Sequence, residues 1–209
     1  MHPYLTKLGI RPKVQAFFLP HYSSDASGNL IFSYGAAVET YGMAFHYVPN
    51  TENFWLAGTG NLHLARQVFV TASAMEAIAW FHIHYAALSQ TDGLLFLSTG
   101  ATLCPEHFRK LHANKKGKKF CLLFGNDLLG KIYDLKAAAL LCNQPVAVSI
   151  AGETVKVDFR SKTYSFAFDN FSLNAFEKQS GYRFNVRTSK PIHDNSWLDL
   201  LKAGAFKHL

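Results

Sequence analysis

The chain has 209 residues, which at roughly 100 to 200 residues per domain holds one compact domain with a possible appended subdomain and excludes a large multidomain machine. Apolar residues make up 49% and charged residues 17%, so a sizeable core can form and a disordered tail is excluded. Lys plus Arg number 21 against 14 for Asp plus Glu, a formal net charge of +7 that suits polyanionic partners.

Taken in chain order, two short helices are expected first, Pro3 to Leu8 and Pro12 to Phe18, because each opens on proline and Gly9 stops the first. Leu30 to Tyr34, Met43 to Val48 and Phe54 to Ala57 are aromatic and β-branched runs separated by Gly, Asn and Pro. They predict a small antiparallel meander. From Gln67 the pattern changes to apolar strands alternating with helices: strand Val68 to Val70, helix Met75 to Leu88, strand Leu94 to Leu97, helix Glu106 to Ala113, strand Phe120 to Phe124, helix Leu128 to Leu141, strand Val146 to Ile150. Strands this poor in polar residues predict a parallel sheet covered on both faces. A hairpin follows, Thr154 to Phe159 and Tyr164 to Phe168, then a helix at Leu173 to Ser180, a strand near Arg183 to Val186 and a last helix from Ser196 to Lys202.

Cys104, Cys121 and Cys142 are far apart and odd in number, which argues against a zinc ribbon or a disulfide framework and fits a reducing, cytoplasmic compartment. No apolar run approaches the ~20 residues of a membrane span, so no membrane partner is expected. His82 and His84 lie two apart and point to different sides of a helix, and no H-E-x-x-H spacing occurs. Serine-hydrolase, P-loop and dinucleotide-binding motifs are also absent from the strand-to-helix turns.

Ligands of open α/β sheets gather at the carboxyl ends of the parallel strands, so the turns Thr71 to Ala74, Ser98 to Ala101 and Gly125 to Gly130 are the places to look. The third turn carries Asp127 and leads to Lys131; Asp127 reads either as part of an acidic centre or as the N-cap of the following helix. Arg109, Lys110, Lys115, Lys116, Lys118 and Lys119 crowd the loop entering the third parallel strand at its amino end, where they either contact phosphates or solvate the surface.

Strand, helix, strand, Ser98-Thr99-Gly100, helix, strand, then Phe124-Gly125-Asn126-Asp127 with Gly130-Lys131: this order resembles the Toprim domain of primases, topoisomerases and their plasmid or transposon relatives. The flanks add to the resemblance. His2-Pro3-Tyr4-Leu5 with Gly9-Ile10 is similar to the opening of primase-like members, and Pro191 through Asp194, Trp197, Asp199 and Leu201 to their closing motif. The resemblance implies an N-terminal primase-like α+β segment over 1–62 and a Toprim-like α/β domain over 63–209, with a parallel sheet flanked by helices and a β-hairpin insertion at about 151–169.

Family members hold Mg²⁺ with a glutamate after the first strand and an Asp-x-Asp pair after the third, to steady phosphate charge. Here the glutamate position is Ala72 and the first aspartate is Gly125, leaving Glu76, Ser98, Thr99, Asn126 and Asp127 around a residual centre. No catalytic residue, cofactor or metal is therefore expected, with Mg²⁺ bound only if Glu76 and Asp127 suffice between them. The implied role is a catalytically degenerate, DNA-associated accessory protein of bacterial replication or mobile-element mobilisation, working with replication or mobilisation proteins. Its phosphate contacts would come from the basic loop and Lys131. The alternatives are an active Mg²⁺-dependent primase, nucleotidyl-transfer or nicking enzyme, and a protein-binding scaffold presenting Tyr164, Phe166, Phe168 and Phe171. On the closing helix, Trp197 and Leu201 are expected to dock while Asp194 caps it or steadies the neighbouring loop.

Overall fold

The computed structural model describes residues 1–88 and 90–206, without the side chains of Lys110, Ala205 and Phe206. Helices α1 (Pro3–Lys7) and α2 (Pro12–Phe18) both carry proline in their first turn, and the His2 ring caps α1 by accepting from the Tyr4 amide. An antiparallel sheet follows, β1 (Ser23–Ser24), β2 (Leu30–Tyr34), β3 (Ala37–Tyr41) and β4 (His46–Tyr47). The sequence reading missed β3 and overextended β4. Residues 42–45 form a turn instead, with the Gly42 amide on the Phe45 carbonyl and the Phe45 ring so close to Gly42 that a Cβ there would stand 2.5 Å away.

β5 (Trp55–Gly58) leaves this meander and pairs antiparallel with β7 (Leu94–Ser98), which corrects the expected grouping. The main sheet is five-stranded, in the order β12 (Arg187–Thr188), β8 (Lys119–Leu122), β6 (Gln67–Thr71), β7 (Leu94–Ser98), β5. All its pairings except β5 with β7 are parallel. Register sets Phe69 beside Phe96 and Cys121 on one face, and Val68 beside Leu95 and Phe120 on the other. Both sets are buried, which is why these strands read as unbroken apolar runs.

The first face is covered by α3 (Ala74–His84), α7 (Trp197–Phe206) and the N-terminal segment, the second by α4 (Pro105–Ala113), α5 (Leu128–Leu141), α6 (Leu173–Ser180) and a small second sheet. That sheet overturns one expectation. β9 (Ala147–Ala151) does not extend the parallel sheet; it pairs antiparallel with β10 (Thr154–Phe159), which pairs with β11 (Lys162–Ala167). Tight turns at Gly152 and at Arg160-Ser161, all with positive φ, close these strands locally. Short hairpin closure lets the run find a neighbour at once, and β9 stays solvent-exposed as an edge. The two-residue β12 takes the place beside β8 instead. Among the described residues no helix is long and apolar enough to cross a membrane.

Candidate functional site

The carboxyl ends of β6, β7 and β8 meet beneath the chain segment that leads from β12 into α7. A cleft of about 330 Å³ opens there, lined by Ala72, Glu76, Gly125, Asp127, Asn195 and Asp199 among others. Four of the residues singled out in the sequence therefore come together. Ser98 and Thr99 do not line it; both are fully buried, with the Thr99 amide and hydroxyl donating to the Thr71 carbonyl.

Each acid in this cleft is engaged by the protein itself. Asp127 is the N-cap of α5, its Oδ1 accepting from the Gly130 amide at 2.8 Å. Gly130 is required by the same turn, since a Cβ would fall 2.1 Å from the Gly125 carbonyl oxygen. Asp199 shares a hydrogen bond with Ser196 Oγ at 2.8 Å, and Ser196 Oγ accepts in return from the Asp199 amide. Glu76 lies in the first turn of α3, yet its carboxylate reaches across to α7: Oε2 accepts from the Trp197 amide at 2.8 Å and Oε1 from the Leu198 amide at 3.3 Å. Burial pushes the Glu76 carboxyl above its ordinary value, and these amides and Ser196 pull it back in part. Glu76 thus caps α7 together with Ser196, whereas Asp194, one candidate for that role, has no capping bond among the described residues.

The third turn is filled by the same segment. The Asn126 amide donates to the Asn195 carbonyl at 2.8 Å, and a Cβ on Gly125 would stand only 2.6 Å from that oxygen. Lys190 adds a cation. Its Nζ donates to the carbonyls of Phe124 (3.0 Å) and Gly125 (2.7 Å) and pairs with Asp134 Oδ2 at 2.6 Å, with Asp134 almost wholly buried. Burial lifts the Asp134 carboxyl to about 7 although Lys190 opposes the shift, and its Oδ1 has no hydrogen-bond partner among the described residues. Trp197, 2% exposed, seals the assembly by donating its indole N–H to the Leu123 carbonyl.

A second carboxylate went unnoticed in the sequence. Glu39 on β3 is fully buried at the start of α3, where it accepts from the Ala74 amide (2.7 Å), the Met75 amide (3.2 Å), the Tyr34 hydroxyl (2.6 Å) and His46 Nε2 (2.8 Å). A phenol has one proton, so the Ser98 hydroxyl donates to Tyr34 across their 2.6 Å contact. Burial and the neighbouring Glu39 push the Tyr34 phenol up, which keeps it a donor. The available signal was an acid on the inward side of an alternating strand, between Ala37 and Tyr41.

These donors do not fit a resident Mg²⁺, which prefers octahedral oxygen coordination with carboxylates turned toward it. Ala72 and Gly125 supply no carboxylate, and both Glu76 oxygens and Asp127 Oδ1 already accept from amides. Among the described residues no group of three or more His, Cys, Asp or Glu is placed to hold a metal ion. His82 Nδ1 accepts from the Arg11 amide, and His84 stacks on Trp80.

The basic residues sit at the opposite end of the sheet, where the α4–β8 loop enters β8 at Lys119. Lys116 and Lys119 are exposed, Lys118 is half-buried, and Arg109 is exposed but paired with Glu106 at 2.6 Å. Lys115 turns inward, donating to Cys142 Sγ and to the Phe184 carbonyl. Lys131 is half-buried in the first turn of α5, apart from this loop, and the Lys110 side chain lies outside the described residues. A larger hollow of about 800 Å³ lies between α4 and strands β5 and β7, with Phe54, Leu56 and Leu97 in its walls. Comparison with protein-family models, curated proteins and solved structures finds no match to this chain.

Proposed function

We propose that the chain is a Toprim-like, primase-like protein whose catalytic centre has been taken over by its own carboxyl-terminal segment, and that it serves DNA replication or mobile-element mobilisation by binding nucleic acid without cutting or extending it. The observation that carries this reading is Glu76. The carboxylate best placed to replace the absent glutamate caps α7, whose chain also sits against Gly125 where a second acid would be needed. A site organised around metal would leave these oxygens facing the cleft.

Nucleic-acid binding then rests on charge outside the cleft, with exposed Lys116 and Lys119 as phosphate contacts in a chain of net charge +7. For the scaffold alternative, Phe166 and Phe171 are buried against α6 and its neighbours, while Tyr164 and Phe168 are half-buried. The test is DNA affinity as a function of salt for the wild type and Lys116→Gln/Lys119→Gln. The expected result is weaker binding to DNA of any sequence, with the salt slope reduced by about 0.9 for each duplex phosphate no longer neutralised. Equal affinity and slope would assign these lysines to solvation and remove the reading's support.

A further inference from the structure

We propose that Cys142 and Lys115 form a peroxide-responsive covalent pair, in which the oxidised Cys142 sulfur is captured by the Lys115 amine as a reversible sulfur–nitrogen bond. The inference goes beyond the nucleic-acid reading and does not rest on it. Lys115 follows α4 and Cys142 follows α5; Lys115 Nζ lies 2.8 Å from Cys142 Sγ. Both groups are also held by one acceptor, the Phe184 carbonyl, at 3.3 Å from Nζ and 3.2 Å from Sγ. Amine and sulfur are therefore already in contact, and both residues are partly open to solvent.

The other two thiols sit in settings that suppress such chemistry. Cys121 is buried within the sheet, and burial pushes its thiol up to about 12. Cys104 is pushed up by burial and by Glu106, whose carboxylate accepts its S–H at 3.1 Å. Thiolates are the reactive form. Among the described residues, Cys142 is the cysteine in contact with a lysine amine.

The chemistry balances with hydrogen peroxide as oxidant. The Cys142 thiolate attacks one peroxide oxygen, the O–O bond breaks, and sulfur becomes a sulfenic acid, oxidised by two electrons while peroxide is reduced. Sulfenic acids condense with neighbouring nitrogen. Lys115, having released one proton to solvent, attacks the sulfur; the S–O bond breaks and the hydroxyl leaves as water. One thiol, one ammonium and one peroxide yield one S–N link, two waters and one proton. The link would tie the loop after α4 to the end of α5 and remove the charge of Lys115.

The reduced full-length chain is treated with hydrogen peroxide, digested without reductant and analysed by mass spectrometry. The expected product is a linked peptide pair containing Lys115 and Cys142, lighter by two hydrogens than the separate peptides, released by dithiothreitol and absent from Cys142→Ser. In Lys115→Arg, dimedone-reactive sulfenic acid at Cys142 should accumulate instead; Lys115→Gln gives the same readout should the arginine variant fold poorly. Oxidation of wild-type Cys142 only to sulfinic or sulfonic acid, or to a disulfide, with no linked pair, would overturn the proposal. Dimedone labelling that is equal in the wild type and the Lys115 variants would do the same.

Discussion

Replacing Glu76 with alanine tests the central geometric claim, that this carboxylate caps α7. The change removes the acceptor for two amides, Trp197 N and Leu198 N, in a partly buried position. A hydrogen bond to a charged group is worth roughly 1.5 to 3 kcal/mol, and an abandoned buried donor costs about 1 to 3. Opposing this, the deletion relieves the burial that pushes the Glu76 carboxyl upward, and α7 retains its Ser196–Asp199 contacts. The net loss should be about 2 to 4 kcal/mol, or roughly 5 to 15 °C in melting temperature for a domain of this size. Thermal denaturation by circular dichroism measures it, and hydrogen exchange at the Trp197 and Leu198 amides locates it. A metal-ligand role predicts a different pattern: unchanged or higher stability without Mg²⁺ and loss of Mg²⁺-induced stabilisation. A Glu76→Ala protein that melts like the wild type, with unchanged exchange at those amides, refutes the capping argument.

Trp197→Ala should cost about 3 to 5 kcal/mol, whereas Asp194→Ala should change the melting temperature little, because Asp194 makes no capping bond among the described residues; equal losses in a melting comparison would contradict the docking of α7. Lys190→Met strands Asp134 and should destabilise by about 3 to 5 kcal/mol, while Lys190→Met/Asp134→Leu should recover most of that in urea titrations. The Asp134 carboxyl is raised from 3.8 to about 7, so its contribution to stability is full below about pH 4 and is lost as pH rises through 7. The difference in stability between Asp134→Asn and the wild type should therefore vary across that window, and a pH-independent difference would dismiss the shift. Gly125→Asp should destabilise, since its Cβ meets the Asn195 carbonyl, whereas Ala72→Glu should fold more nearly as the wild type does; expression and melting of the two variants decide.

The strands β6, β7 and β8 were legible because each is buried on both faces and so carries apolar residues without alternation. The same rule misled at Val146 to Ile150, where composition suits a buried strand but turns at Gly152 and Arg160-Ser161 fix local pairing. Edge strand β12 was misplaced, since Arg187-Thr188 carries no apolar signature and is held beside β8 by register with Cys121 and Leu122. At the site, the lack of a carboxylate at Ala72 and Gly125 and the capping of α5 by Asp127 were readable from residue type and spacing. The use of Glu76 by α7 was not, because it joins residues 121 positions apart and leaves no local pattern. Glu39 was hidden for the same reason, its partners Ala74 and Met75 lying on another element.

The distance in sequence between β8 and its outer neighbour has a consequence for how the chain reaches this state. β12 enters the sheet only after the second sheet and α6 have been made, and α7 later still. During synthesis the outer backbone edge of β8 waits without its partner, beside an apolar surface that Trp197, Leu198 and Leu201 will later cover. Contacts closed over such long stretches form slowly, and an open strand edge invites pairing with other chains. Folding intermediates that lack the last segment should thus be the aggregation-prone species, and the yield of native protein should depend on how soon that segment docks.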